Sequence, residues 1–274
     1  MDKLAGKAAA FRALHARPRP FLIPNPWDRG SALILESMGF EALATTSLGL
    51  ANMLGQNAVT LQQVLDNCRE INEATGLPVN ADLENCFADE PREAAKAIRL
   101  ACEHGAVGGS IEDSTGDASK PIYDFNLAVE RVQAAVEVAR SLPVPFMLTA
   151  RAENFLHGRK DMDDTILRLQ AFEAAGADVL YAPGLHSLAE IRTVTSALEK
   201  PFNLVMGFAD PAITLDQLGE AGVRRVSIGG GLNRVAVKAF MDAAKQMRAG
   251  NFRFLTAMAS IKEVRDAFQR PAKS

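Results

Sequence analysis

Four residues stand out because each closes a short apolar or β-branched run: Asp82 in PVNAD, Glu112 with its neighbour Asp113 after VGGSIE, and Arg151 in FMLTAR. Carboxylates gathered with asparagine, and with no His or Cys cluster, suit a hard cation such as Mg²⁺ or Mn²⁺ held partly through water. An arginine beside them can hold a carboxylate or an enolate oxygen on its planar fork of N–H donors. Strand period sharpens the pattern. Asn80, Asp82 and Glu84 fall on one face, and Met147, Thr149 and Arg151 share another, opposite Phe146, Leu148 and Ala150. With the apolar sets facing outward, Asp82, Glu112 and Arg151 converge. Plainer readings stay open: Asp82 with Arg151 as a structural ion pair, Glu112 and Asp113 as loop acids, Glu84 already beyond its strand. His157 in NFLHGR is a candidate for substrate contact or acid/base work, or else a surface histidine. Cys86 reads as a small packed residue more readily than as a nucleophile, and Gly229, Gly230 and Gly231 before a helix are a weak phosphate signal.

What must position these residues is a rhythm that runs the length of the chain. Eight strand patterns are predicted over 21–25, 42–47, 78–82, 107–112, 146–151, 178–183, 202–207 and 225–230, each followed by a helix-period segment such as PREAAKAIRLACEHG or NRVAVKAFMDAAKQMRAG. Alternation of this kind predicts an α/β fold, a (β/α)₈ TIM barrel over a single domain spanning 1–274. A doubly wound sheet is the alternative, but no Gly-rich dinucleotide turn follows strands one to three. In a barrel the chemistry sits at the C-terminal strand ends. Those ends carry Asn25, Trp27 and Asp28, Thr46 and Ser47, the acids and arginine above, Glu153, Asn154, Tyr181, Asn203 and Ser227, whereas the opposite ends are mostly Pro, Gly and Ala. Residues 252–268, FRFLTAMASIKEVRDAF, read as one extra helix with nothing left to cover, which suits packing on a neighbouring subunit.

Composition narrows the function classes. The chain has 274 residues, 48% hydrophobic and 23% charged, and a formal charge of −3 from 30 basic and 33 acidic residues. That excludes disorder as the main state, and without a run of Lys/Arg no nucleic-acid partner is expected. No apolar stretch approaches a membrane span, so no membrane partner is expected. The start MDKLAGKAAAFRALHARPRP is an amphipathic helix pattern without the apolar core of a signal peptide, and three cysteines without a CxxC fit a reducing, cytoplasmic setting.

The ordered segments TTSLGLANMLG, NADLEN, GGSIED, LTARAENFLHGR and GADVLYAPGL, each at a strand end, resemble the phosphoenolpyruvate mutase/isocitrate lyase superfamily from about Phe21 to Phe268. The resemblance implies a barrel that exchanges a C-terminal helix between subunits, here 252–268, in a homo-oligomer that is usually a dimer of dimers. It implies Mg²⁺, a small 2-oxo or 2-hydroxy carboxylic acid substrate and an enolate intermediate. By position, Thr46, Ser47 and Leu48 correspond to the segment that holds the substrate carboxylate, largely through backbone N–H groups. Asp82 corresponds to one acid of the paired-aspartate motif, Glu112 to the strand-four acid that binds metal water, Arg151 to the arginine that steadies the enolate, and Asn203 to a polar substrate contact. Three departures bear on the reaction. Asn80 replaces an aspartate, with Glu84 on the same face as a partial substitute. The loop DSTGDASKPIYD lacks the catalytic cysteine and histidine of the isocitrate and methylisocitrate lyases, leaving Lys120 as its one basic residue. Strand six ends in Ala182-Pro183 where many members carry a glutamate. The expected activity is C–C cleavage of the oxaloacetate-decarboxylation kind, with metal ligands Asp82, Glu84 and Glu112 and catalytic residues Arg151 and His157. The alternatives are a 2-methylisocitrate or alkylmalate lyase, a phosphonomutase-like enzyme and a silent dicarboxylate binder.

Overall fold

The computed structural model describes residues 2–269; residue 1 and residues 270–274 of the expected domain lie outside them. Eight parallel strands form one sheet: β1 Phe21–Ile23, β2 Leu43–Ala44, β3 Val79–Ala81, β4 Gly108–Glu112, β5 Met147–Arg151, β6 Val179–Tyr181, β7 Phe202–Val205 and β8 Val223–Ser227. Their order runs β1-β8-β7-β6-β5-β4-β3-β2. The Ala44 N–H donates to the Pro24 carbonyl at 3.1 Å and draws the two sheet ends together, giving a nearly closed barrel. Each expected strand is present; β8 begins two residues before its predicted start at 225, and all are shorter than predicted. The run ALATTS shows why. Thr46 leaves the sheet to accept from the Gly49 N–H as the cap of an unpredicted helix, Ser47–Leu54, which stops at Gly55 with φ 67°.

In chain order the helices are α1 Asp2–His15, α2 Arg29–Ser37, α3 Ser47–Leu54, α4 Leu61–Ala74, α5 Pro91–Glu103, α6 Phe125–Ser141, α7 Met162–Ala174, α8 Leu188–Thr195, α9 Leu215–Glu220, α10 Gly231–Arg248 and α11 Ile261–Phe268. Capping boxes start α2, α4, α8, α9 and α11, where a side chain satisfies first-turn N–H groups that have no helical partner. On α5 the buried residues are Ala94, Ala95, Ala97, Ile98, Ala101 and Cys102, mostly small side chains, and the helix packs beside α6. Helix α1 plugs the N-terminal end of the barrel. Its Phe11 and His15 rings stand edge-on to Phe21, with His15 and Phe21 centroids 4.9 Å apart. Gly108 makes room for it, since a Cβ there would lie 2.7 Å from the Phe11 ring.

The barrel lumen is unusually polar for this architecture, whose interior layers are ordinarily aliphatic. Asn80, Ser110, Thr149, Asn203 and Arg225 are all buried there. At the C-terminal end two expectations change. Residues 252–268 are not one helix: a 3₁₀ turn, Arg253–Ala257, is followed by an extended break and then α11. Nor is the arm's exposure confined to them. Helix α10 buries only Asn233 and leaves Val235, Phe240, Met241 and Met247 exposed, while α11 lies against α2.

Candidate active site

Arg151 forms the centre of the barrel mouth. It ends β5 in register with Glu112 on β4 and Tyr181 on β6. Its Nε donates to Glu153 Oε1 at 2.8 Å, and its two Nη atoms lie 3.2 Å from Asp82 Oδ1 and 3.0 Å from Glu112 Oε2. The guanidinium also stacks over the Tyr181 ring, 4.7 Å from its centroid. One cation thus fixes three carboxylates, and they fix its plane. Burial is costly for this charge, yet Glu112 and Glu153 hold the Arg151 pKa well above its ordinary value. Burial, together with Glu153, Asp82 and Glu84, pushes Glu112 well above the usual carboxylate range against the pull of Arg151. Burial, then Asp82, raises Glu84 as well.

The first turn of α3 faces the same point. The Ser47 N–H and Oγ donate to Asp82 Oδ2 at 3.0 and 2.9 Å, so the positive end of that helix meets the acid. The Asp82 N–H is tied to Thr45 Oγ1 at 2.8 Å. After β3 the chain turns sharply, with Glu84, Cys86 and Phe87 at φ 49°, 60° and 58°. Non-glycine residues in that region cost energy and persist only where neighbours hold them. Here Arg131 of α6 is the brace: buried over Tyr123, it donates to the Asn85, Ala88 and Asp89 carbonyls. The turn sets Glu84 at the rim. Cys86 packs inside it, and burial pushes its thiol up to about 12, which removes it as a nucleophile.

Eight of the expected site residues line one cleft of about 420 Å³: Thr46, Ser47, Leu48, Asp82, Glu84, Glu112, Arg151 and His157. His157 sits at its edge with Nε2 3.1 Å from Ser114 Oγ. Asn203 is not in this cleft. It lines a smaller recess beneath, where its Oδ1 accepts from Arg225 and its Nδ2 donates to Ser227 Oγ at 3.1 Å. Among the described residues no three His, Cys, Asp or Glu side chains form a group able to hold a metal unaided. Lys120 is exposed and pairs with Asp124 at 2.8 Å. Asp113 turns away from the cleft to Arg168 at 2.9 Å and accepts the Glu153 N–H at 2.8 Å, so it positions Glu153. The braces Arg131 and Arg168 were missed in the sequence because they lie mid-helix, where arginine ordinarily faces water. Arg225 was missed too, though its place two residues before Ser227 in VRRVS puts both on one strand face.

A sequence profile of the phosphoenolpyruvate phosphomutase family matches residues 11–248. A candidate lyase/mutase of known structure from Burkholderia cenocepacia J2315 is 53% identical, with a TM-score of 0.96 over 99% of this chain and 98% of that one. The 2-methylisocitrate lyase of Escherichia coli K12 is 29% identical over 78% of this chain and 75% of its own length. The oxaloacetate decarboxylase of Ectopseudomonas mendocina ymp is 26% identical over 88% and 84%. The strand-end motifs, the parallel barrel and the family match therefore agree: the chain belongs to the phosphoenolpyruvate mutase/isocitrate lyase superfamily, whose members are lyases, hydrolases and mutases acting on carboxylic acids, typically with Mg²⁺.

Proposed function

We propose that this protein is a Mg²⁺-dependent carbon–carbon lyase acting on a small 2-oxo dicarboxylic acid, and that its simplest reaction is decarboxylation of the oxaloacetate type. The observation that carries the reading is the placing of Arg151: a fixed guanidinium at the mouth, oriented by three acids and facing the first turn of α3. The substrate carboxylate is held at the first turn of α3, on the Leu48 N–H, which has no preceding helical carbonyl, and on the Ser47 N–H once it exchanges Asp82 for substrate. Arg151 holds the 2-oxo oxygen. When the bond to the terminal carboxylate breaks, carbon dioxide leaves and the electron pair flows into the 2-oxo group. The charge arriving there meets a cation already in place, with little reorganisation. His157 or water returns a proton to the carbon.

The donor set supports Mg²⁺. The mouth offers only oxygen ligands, and Glu84 and Glu112 are raised partly by their fellow acids, as crowded carboxylates are where positive charge is short. Asp82, Glu84 and Glu112 would hold the ion, largely through water, because Arg151 already engages Asp82 and Glu112 and Asn80 stands in place of an acid. When bound, it supplies Lewis-acid polarisation of the 2-oxo group. A second reading, a lyase for an alkyl-substituted malate or methylisocitrate, is favoured by the apolar cleft wall of Leu48, Leu156, Val205 and Phe208. The same account makes the protein a homo-oligomer, a dimer of dimers that exchanges its C-terminal arm; the uncovered apolar face of α10 supports this.

The test is to incubate the purified protein with 2-oxo and 2-hydroxy diacids, with and without Mg²⁺, and read products by proton NMR. Pyruvate from oxaloacetate above the metal-only background is the expected result. Two carbon fragments from a longer acid would select the second reading. No turnover and no Mg²⁺-dependent binding across the panel would overturn both. Light scattering after size exclusion should report a tetramer, and a monomer would remove the exchanged arm.

A further inference from the structure

Below the mouth the barrel holds a second arginine in different company. Arg225 is 3% exposed on β8. Its Nε donates to Asn203 Oδ1 at 2.7 Å, one Nη to Thr149 Oγ1 at 3.0 Å, and the other lies 3.4 Å from His15 Nε2. Those are three neutral acceptors for a group with five N–H donors. His15 supplies no charge of either sign, because burial, with Arg225 beside it, lowers its pKa to about 3. The nearby acids Asp82, Glu112 and Glu153 are all engaged with Arg151 instead. The guanidinium remains a cation: burial, and then Arg151, lower its pKa only to about 9. A buried charge with no counter-charge is a standing cost to the fold unless something else neutralises it.

Arg225 borders a recess of about 60 Å³ that also reaches Asn25, Thr149 and Ser227, and that meets the base of the cleft at Asp82, Arg151 and Tyr181. A water requires roughly 10–15 Å³ on the same measure, so the space matches a carboxylate head or a halide and is too small for a longer chain. We propose that this recess is a binding site for one small monovalent anion, seated on the two unfilled N–H donors of Arg225 and supplying the counter-charge that the described residues do not. The anion is either a free inorganic ion or the inward carboxylate of a substrate lying in the cleft; only the second source rests on the function proposed above. In that case Arg225 makes the enzyme prefer diacids over monoacids.

The experiment reads binding and not turnover, so it stands apart from the proposed reaction. Melting temperature is followed while sodium chloride or sodium formate replaces sodium morpholinoethanesulfonate, whose ring is too bulky for the recess and which lacks the general stabilising action of sulfate, at constant ionic strength. Malonate and acetate are then compared with Mg²⁺ present. A saturable rise of about 2–4 °C with chloride or formate, absent in Arg225→Met, identifies a free-ion site. A malonate preference of roughly tenfold over acetate, lost in Arg225→Met, identifies the substrate carboxylate. Should Arg225→Met fail to fold, Ser227→Val fills the recess without touching the guanidinium and must abolish the same response. No saturable anion effect and no malonate preference in the wild type, or responses that the variants leave unchanged, would overturn the proposal and leave Arg225 a structural cation.

Discussion

Arg151 and Arg225 are inward-facing arginines of one barrel, and their surroundings are opposite. Arg151 has three carboxylates and an aromatic face; Arg225 has an amide, a hydroxyl and a neutral imidazole. The contrast shows that a buried arginine does not by itself report an ion pair. At the mouth, acids outnumber the cation that holds them, so a substrate oxygen can replace a carboxylate on the same fork. In the recess, charge is unbalanced and the fork is incompletely used. On the function proposed above, the first arrangement exchanges partners during the reaction; on the proposed anion site, the second retains one.

Deleting each cation should separate them. Arg151→Ala leaves Asp82, Glu112 and Glu153 crowded and uncompensated. Urea unfolding at neutral pH should show a loss of about 3–5 kcal/mol, partly recovered on adding Mg²⁺. Equal stability would mean the acids do not depend on this arginine. Arg225→Met removes hydrogen bonds but strands no acid. Relief of the uncompensated buried charge offsets part of that, so its loss in the same assay at neutral pH should be smaller, about 1–3 kcal/mol; a loss as large as that of Arg151→Ala would erase the distinction.

The acid side of the comparison is tested by pH. Glu112 has a folded pKa raised above its ordinary value of 4.5, so the native state binds its proton more tightly. That contribution is fully present below 4.5 and is lost as pH rises through the folded value. Wild-type melting temperature should therefore fall as pH climbs above that point without Mg²⁺, and Glu112→Gln should flatten the slope. An unchanged slope would place the titration elsewhere. The smallest effect is expected from Cys86→Ser, because the thiol is buried and held near 12. Turnover should stay within about twofold, and the native wild-type thiol should resist iodoacetamide. A large drop would return a cysteine to the chemistry.

The barrel was legible from sequence because strand and helix periods alternate cleanly, and Asp82, Glu112 and Arg151 were legible because each ends a strand. Their convergence followed from a barrel gathering those strand ends at one mouth, with strand period turning the apolar sets outward. What did not show was set by tertiary contacts. Helix α3 took over the end of a predicted strand once Thr46 became its cap. Asn203 went to Arg225 and not to the cleft, since which polar partner a strand residue meets depends on the neighbouring strand. The loop after β3 needed three positive φ values that no residue type there announces, and its brace Arg131 lies some forty positions away. The apolar face of α10 looked like an ordinary barrel helix until its exposure was seen.

The central claim is that Arg151 stabilises the oxyanion formed at the mouth. It is tested most directly by the rate of pyruvate formation from oxaloacetate, with saturating Mg²⁺, in the wild type and in Arg151→Lys. The variant keeps the charge and loses the fork that three acids hold in plane. The account predicts a fall in kcat of roughly 10²–10³-fold with folding retained by circular dichroism. A kcat within about threefold of the wild type would contradict it.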